Sequence, residues 1–175
     1  LVGSEMCIRD RLFPASPSTF LFDSYSRTQI QKEMIHFQQA WEQKSFKIAL
    51  DCLTKILGLG IGLTPTGDDF ITGLLASFSA LQQLPSNFQQ LAVLAKERTN
   101  AVSYAEIHEA VNERFSQLVQ RVFLSIESGN TNEMAQAVSA LEEVGSTSGS
   151  DILCGIIFGL KLFCEENNHD NSNSN

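Results

Sequence analysis

The chain is short of positive charge. Its 175 residues carry 12 Lys and Arg against 20 Asp and Glu, a formal net charge of −8 at pH 7. A surface of that sign repels phosphate backbones and anionic lipid, which argues against nucleic acid or a membrane as a main partner. Long apolar runs are missing too: the longest, residues 152–160, falls well short of the roughly 20 residues that cross a bilayer. There are 4 cysteines and none has a partner at metal-ligand spacing. Cys52, Cys154 and Cys164 fall in apolar helical contexts and read as reduced core thiols, in keeping with a cytoplasmic location. No stretch after residue 26 sustains the alternation of a half-buried strand. No histidine stands in a motif where it would activate a Ser or Cys nucleophile. These absences leave an acidic, mainly α domain, long enough to bury a sizeable core.

In order along the chain, residues 1–11 read Leu-Val-Gly-Ser-Glu-Met-Cys-Ile-Arg-Asp-Arg. They resemble translated adapter sequence and lack the apolar centre of a signal peptide, so they are set aside together with Cys7. Residues 12–22 are mixed, an extended piece or a remnant strand, and the natural chain is expected to begin further upstream. An amphipathic helix is predicted over 26–41, with Ile30, Met34, Phe37 and Trp41 on one side, and a second over 45–57, capped by Ser45. Residues 68–81 are apolar on nearly all sides, which predicts a buried helix. Pro85 opens a weaker helix to about residue 96. The stripe Ile107, Val111, Phe115, Leu118, Val122 and Ile126 predicts one long helix over 103–127, with Ser103 and Glu106 as a capping box. His36 and His108 flank stripes and read as surface or packed side chains. A helix over 131–141, a final apolar helix and a solvated tail from residue 165 complete a single helical domain over 12–164.

What is there in abundance is glycine, in one place. Gly58, Gly60 and Gly62 alternate ahead of Leu63-Thr64-Pro65-Thr66-Gly67-Asp68-Asp69, and the apolar helix follows at once. Thr66 suits an N-cap, and Asp68 and Asp69 then fall in the first turn, where the helix dipole favours negative charge. The pattern recurs as Gly145-Ser146-Thr147-Ser148-Gly149-Ser150-Asp151. Thr66 pairs with Ser148, Gly67 with Gly149, Asp69 with Asp151, Gly73 with Gly155 and Ser77 with Gly159. Small residues four apart make a flat face, so two buried central helices, each preceded by a Gly/Ser/Thr-Asp loop, are expected to pack against each other. Either motif alone is an ordinary helix cap. The doubling, and an Asp68 that no cap requires, point to a site.

The chemistry of such a site follows from its residue types. N–H groups at helix starts, beside glycines and hydroxyls, suit a phosphate or carboxylate. The substrate-binding candidates are Gly60, Gly62, Thr64, Thr66, Gly67, Ser146, Ser148 and Gly149. The catalytic candidates are Asp68, Asp69 and Asp151, able to take an amide N–H or, in the case of Asp68, to hold a magnesium ion. The glycine spacing is not that of a dinucleotide-binding loop, because no strand precedes it. Two other classes compete with an enzyme subunit that binds an anion. One is a non-catalytic assembly subunit whose motifs only cap helices. The other is a metal-dependent hydrolase, since glycine-rich, Asp-bearing helix starts resemble those of the all-helical ADP-ribosyl hydrolases.

The run from Gly60 to Phe70 is similar to the signature of a bacterial family associated with a subunit of oxamate carbamoyltransferase, in anaerobic allantoin degradation. The stretch from Gly145 to Asp151 resembles that family's second motif, and Thr99 to Ser103 the segment before its long helix. Ser150 departs from the pattern, standing where a bulkier residue is common. The resemblance implies a multi-subunit enzyme that moves a carbamoyl group between phosphate and oxamate, forming or consuming oxalurate. It also implies a partner subunit like an acyl-CoA synthetase, and members longer at the N-terminus than this chain.

Overall fold

The computed structural model describes residues 21–172, with side chains over 25–164. The adapter-like start, most of the 12–22 piece and the last residues of the tail lie outside the described residues. Those described form eight α-helices and no strand, the mainly α architecture that the periodicity implies. In order they are α1 (Leu21–Glu42), α2 (Phe46–Ile56), α3 (Thr66–Ala80), a 3-10 turn (Ser86–Gln89), α4 (Gln90–Arg98), α5 (Ala101–Val111), α6 (Gln117–Ser128), α7 (Thr131–Glu142) and α8 (Ser148–Ser172).

The two motif-bearing helices, α3 and α8, form the centre and run parallel. Thr64 meets Ser148 at their N-terminal end. In the middle the backbones touch: a Cβ on Gly73 would collide with the Ile152 carbonyl, and one on Gly155 with the Phe70 carbonyl. Further along, the Ser77 hydroxyl donates to the Ile156 carbonyl at 2.8 Å, with Gly159 against the same serine. These contacts are reciprocal. Each glycine faces the carbonyl three residues before its counterpart, so an approximate two-fold axis runs along the helix pair.

The loops obey the same relation. Gly67 N–H bonds to Leu59 O at 2.8 Å, and Gly149 N–H to Val144 O at 3.1 Å. The N–H groups of Leu59 and Val144 bond back to Ile56 and Leu141, each at 3.1 Å. A Cβ on Gly67 would strike the Ile56 carbonyl, and one on Gly149 that of Leu141. Thus α2, loop and α3 repeat as α7, loop and α8, with α1 packed on α2 as α6 is on α7. The copies differ in the loop: seven residues separate Leu59 from Gly67, and four separate Val144 from Gly149. The extra length carries Thr64 across to the other copy.

The aromatic side chains gather towards the opposite end of the pair. Trp41 stacks on Phe78 with centroids 4.5 Å apart and meets Phe163 edge-on at 5.5 Å, while Phe37 lies 6.3 Å from Phe88. This core, drawn from α1, α3, the 3-10 turn and α8, anchors the far end of α3 and α8. A second cluster, with Val119, Val122, Leu141, Ile152 and Ile156, seats α6 and α7 on α8. The loop end is left polar.

Three local expectations are corrected. The long helix over 103–127 is two helices, because Asn112, Glu113 and Arg114 turn the chain between α5 and α6, with Glu113 at φ 59°. Side chains stabilise the turn: Asn112 Nδ2 donates to His108 O at 2.7 Å, Arg114 forks onto Glu109, and Ser116 caps α6. The apolar stripe continues through the break because both helices bury the same side. Second, Asn100 and not Ser103 caps α5, its Oδ1 accepting from Val102 and Ser103 N–H; Ser103 is fully buried inside the helix, so the box with Glu106 does not form. Third, Cys52 and Cys154 are buried free thiols as expected, whereas Cys164 is exposed.

The close approach of α3 and α8 makes a test. Gly73→Ala and Gly155→Ala each force a Cβ onto backbone that has no rotamer to yield, and should cost roughly 3 kcal/mol, the upper end for overpacking. Gly129→Ala, at a left-handed helix end with open space around it, should cost only about 1 kcal/mol. Urea unfolding of the three variants checks the order.

Candidate active site

The site begins with the loop before α3. Gly58 sits at φ 72°, Gly60 at 134° and Gly62 at 107°, conformations that side chains with a Cβ rarely adopt. Gly60 packs on the start of α3, where a Cβ would collide with Thr66 N, while Gly62 has nothing near it. Pro65, not Thr66, is the N-cap, and no side chain caps the helix. Thr66 is the first helical residue and is buried. The cap expectation shifts by one position because the extended Pro65 offers its carbonyl to the N–H groups of Asp68 and Asp69.

Asp68 is a structural clasp. Its Oδ1 accepts from Gly58 N–H at 2.7 Å and its Oδ2 from the Thr99 hydroxyl. The neighbouring Asn100 Nδ2 donates to Leu63 O at 2.9 Å, and Arg98 Nη1 to Thr54 O at 3.2 Å. The α4–α5 junction therefore holds the glycine loop at Leu63 and the helices on either side of it at Thr54 and Asp68. Burial nonetheless pushes the Asp68 carboxyl upward, against the hydrogen bonds from Gly58, Thr99 and Ser103. Both of its oxygens are thus engaged within the protein. Among the described residues no group of three or more His, Cys, Asp or Glu is placed to hold a metal ion.

Asp69 is the opposite case. It is 1% exposed, and neither carboxyl oxygen has a hydrogen-bond partner. The Thr64 and Ser148 hydroxyls lie beside it, 2.6 Å from each other; that contact uses one of their two protons and leaves the second hydroxyl able to turn to Asp69. Burial, only partly offset by Ser148 and Thr64, raises its pKa to about 7, with the charges of Glu106 and Asp151 adding to the rise. Asp151, 3% exposed, occupies the equivalent position on α8. The structure thus brings together Asp69, Asp151, Thr64 and Ser148, the last two half-buried.

Other candidates do not join them. The N–H groups of Gly67 and Gly149, expected to face an anion, are taken by Leu59 and Val144 carbonyls. Ser146 lies exposed on the outer loop. Sequence reasoning missed Thr99 as the partner of Asp68. It also missed Glu106, whose carboxyl is pushed upward by burial and by the charge of Asp68. Glu106 is recognisable only once α5 is seen to lie across the start of α3.

The described residues form a helical, internally duplicated domain with buried carboxylates where two parallel helices begin, and no described helix is long and apolar enough to cross a membrane. Residues 56–160 match the family described as oxamate carbamoyltransferase subunit AllH, and the chain belongs to that family. The match runs from the end of α2 through both glycine loops into α8. No solved structure matches the chain.

Two outcomes follow from the carboxylates. An Asp held neutral in the fold up to about pH 7, but ionised above about pH 4 once unfolded, contributes most to stability below pH 4 and loses that contribution as pH rises through 7. Melting temperature should therefore fall across that interval, and Asp69→Asn should flatten the fall, in thermal scans at stepped pH. Asp68→Ala leaves the Gly58 N–H without its acceptor and should cost about 1–3 kcal/mol at neutral pH, read by urea unfolding.

Proposed function

We propose that this chain is the subunit of a carbamoyltransferase that binds the amide-bearing substrate, oxamate or its carbamoylated form oxalurate, at the shared N-terminal end of α3 and α8. Asp69 carries the reading. A buried carboxyl with no well-formed hydrogen bond and only two hydroxyls beside it costs stability, and a substrate N–H is a partner that its chemistry accepts. Its raised pKa also suits proton transfer near neutral pH. In the forward reaction the oxamate amide nitrogen attacks the carbamoyl carbon of carbamoyl phosphate, the bond from that carbon to the phosphate oxygen breaks, and the amide proton passes to Asp69. Thr64 and Ser148 reorient from each other to donate to oxygens of the reacting groups, and Asp151 orients the amide. The three buried acids disfavour placing the phosphate end here. That end belongs near donors contributed by a partner subunit, such as the acyl-CoA-synthetase-like one, within a cytoplasmic allantoin-degrading complex.

The test is the thermal stability of the chain against oxamate, oxalurate, carbamoyl phosphate and phosphate, each with and without magnesium. A ligand at about 100 times its Kd adds about 2.7 kcal/mol, and each kcal/mol moves Tm by about 2–4 °C in a chain of this size. Oxamate or oxalurate should give that shift. Asp69→Asn should abolish it and reduce turnover of the assembled enzyme by at least about a hundredfold, in the range of a lost general base. A full shift and near-normal turnover in Asp69→Asn would sink the reading.

A second reading, an assembly subunit without a ligand, is favoured by Asp68 and by the two glycine N–H groups, all of which are engaged within the protein. It leaves Asp69 unexplained.

A further inference from the structure

The duplication is incomplete on one side. In the first copy the 3-10 turn and α4 lie along α2. Asn87 Nδ2 donates to Phe46 O at 2.9 Å and Arg98 Nη1 to Thr54 O at 3.2 Å, so the two segments run in the same direction. Leu91 and Ala95 of α4 are fully buried, in the core that holds Ala49, Leu50 and Leu53 of α2 and Leu75 of α3. Among the described residues the second copy has no such segment. There α8 runs on as helix past the point that corresponds to the end of α3, where the chain of the first copy turns back.

The missing cover shows in the side chains. With Ile56 placed on Leu141 and Gly73 on Gly155, Cys52 falls on Ala137, and both of these α2 positions are buried in both copies. Ala49, Leu50, Leu53 and Leu75 fall on Met134, Ala135, Val138 and Ile157. The first four are buried, whereas Met134 is 37% and Ile157 38% exposed; Ala135 is exposed and Val138 half-buried. One face of α7, with Ile157 of α8, thus repeats a core surface and leaves it open.

We propose that this face is the docking site for an amphipathic helix of a partner chain, laid along α7 as α4 lies along α2. The chemistry of that helix follows from two observations. Its inward side is small and aliphatic, because Leu91 and Ala95, four apart on α4, serve the equivalent face. Its edges are basic, because no Lys, Arg or His stands between Arg121 and Lys161, whereas Glu133, Glu142 and Glu143 lie on α7 or at its end. A second copy of this chain would set those glutamates against their own kind across a two-fold axis, which disfavours self-pairing. The inference rests on the duplication and is independent of what the paired loops bind.

The experiment is NMR titration of the full chain, labelled at amides and methyl groups, with a peptide of residues 84–99. The peptide carries Gln90→Lys, Val93→Lys and Glu97→Lys, at three positions exposed on α4. The amides of Met134, Ala135 and Val138 and the methyl groups of Met134 and Ile157 should shift together, and added salt should weaken the binding. A peptide with Gln90→Glu, Val93→Glu and Lys96→Glu should bind at least about tenfold more weakly. In the chain, Met134→Ser and Ile157→Ser should each weaken the basic peptide about tenfold. Leu124→Ser should not, since Leu124 lines the separate groove with Arg121 and Gln136. No response at these residues, equal binding of the acidic peptide, or indifference to both weakening substitutions overturns the proposal. So does shielding of the two methyl groups from a soluble paramagnetic agent before any peptide is added. Shielding independent of concentration means that the chain covers its own face, and shielding that grows with concentration means that a second copy does.

Discussion

Contact between the α3 and α8 backbones at Gly73 and Gly155 is the constraint on which the rest depends. No side chain separates the helices there, since a Cβ on either glycine would overlap a carbonyl of the other helix. Helices this close, held in register by Ser77 on Ile156 O, have little freedom to slide. Parallel packing then brings both N-terminal loops to one end, and the aromatic core fixes the other. Acidic groups that sit far apart in sequence, Asp69 and Asp151, become neighbours by this geometry alone.

The duplication clarifies why the two loops divide the labour. Both tie their second glycine back to the end of the preceding helix, Gly67 to Leu59 and Gly149 to Val144, and those bonds shape the loop without serving a ligand. The longer first loop is gripped by the α4–α5 junction through Asp68 and Thr99 and reaches Ser148 across the axis. Two adjacent aspartates therefore have different fates. Asp68 faces donors on the neighbouring loop and is satisfied, whereas Asp69 faces the helix pair, where only the Thr64 and Ser148 hydroxyls lie beside it and neither makes a well-formed bond to it. A partly unsatisfied polar group inside an otherwise well-paired core is a common mark of a functional position.

The acidic balance of the chain carries into the site. Burial raises both Asp69 and Glu106, and neighbouring charge adds to it, Glu106 on Asp69 and Asp68 on Glu106, so the groups around the helix starts are pushed towards the neutral form. A site of this kind accepts amide N–H groups more readily than it accepts further negative charge. It fits the amide-bearing side of a carbamoyl transfer better than the phosphate side.

The helical class, the pairing of the two motifs and the contact of their helices are legible in the residues alone, because small residues at fixed spacing and apolar periodicity are local signals. The same local signals misled at residues 103–127. A stripe continues across a turn whenever both helices face one core, and the Arg114–Glu109 fork and Asn112 bond that stop α5 carry no periodicity. The exchange of caps, Pro65 for Thr66 and Asn100 for Ser103, was likewise hidden, since several residues near each helix start can serve. Which carboxylate is firmly bonded and which is not emerges from the packing. That depends on which donors a neighbouring loop delivers to within 3 Å, and Thr99 reaches Asp68 only after α4 and α5 have folded across the glycine loop.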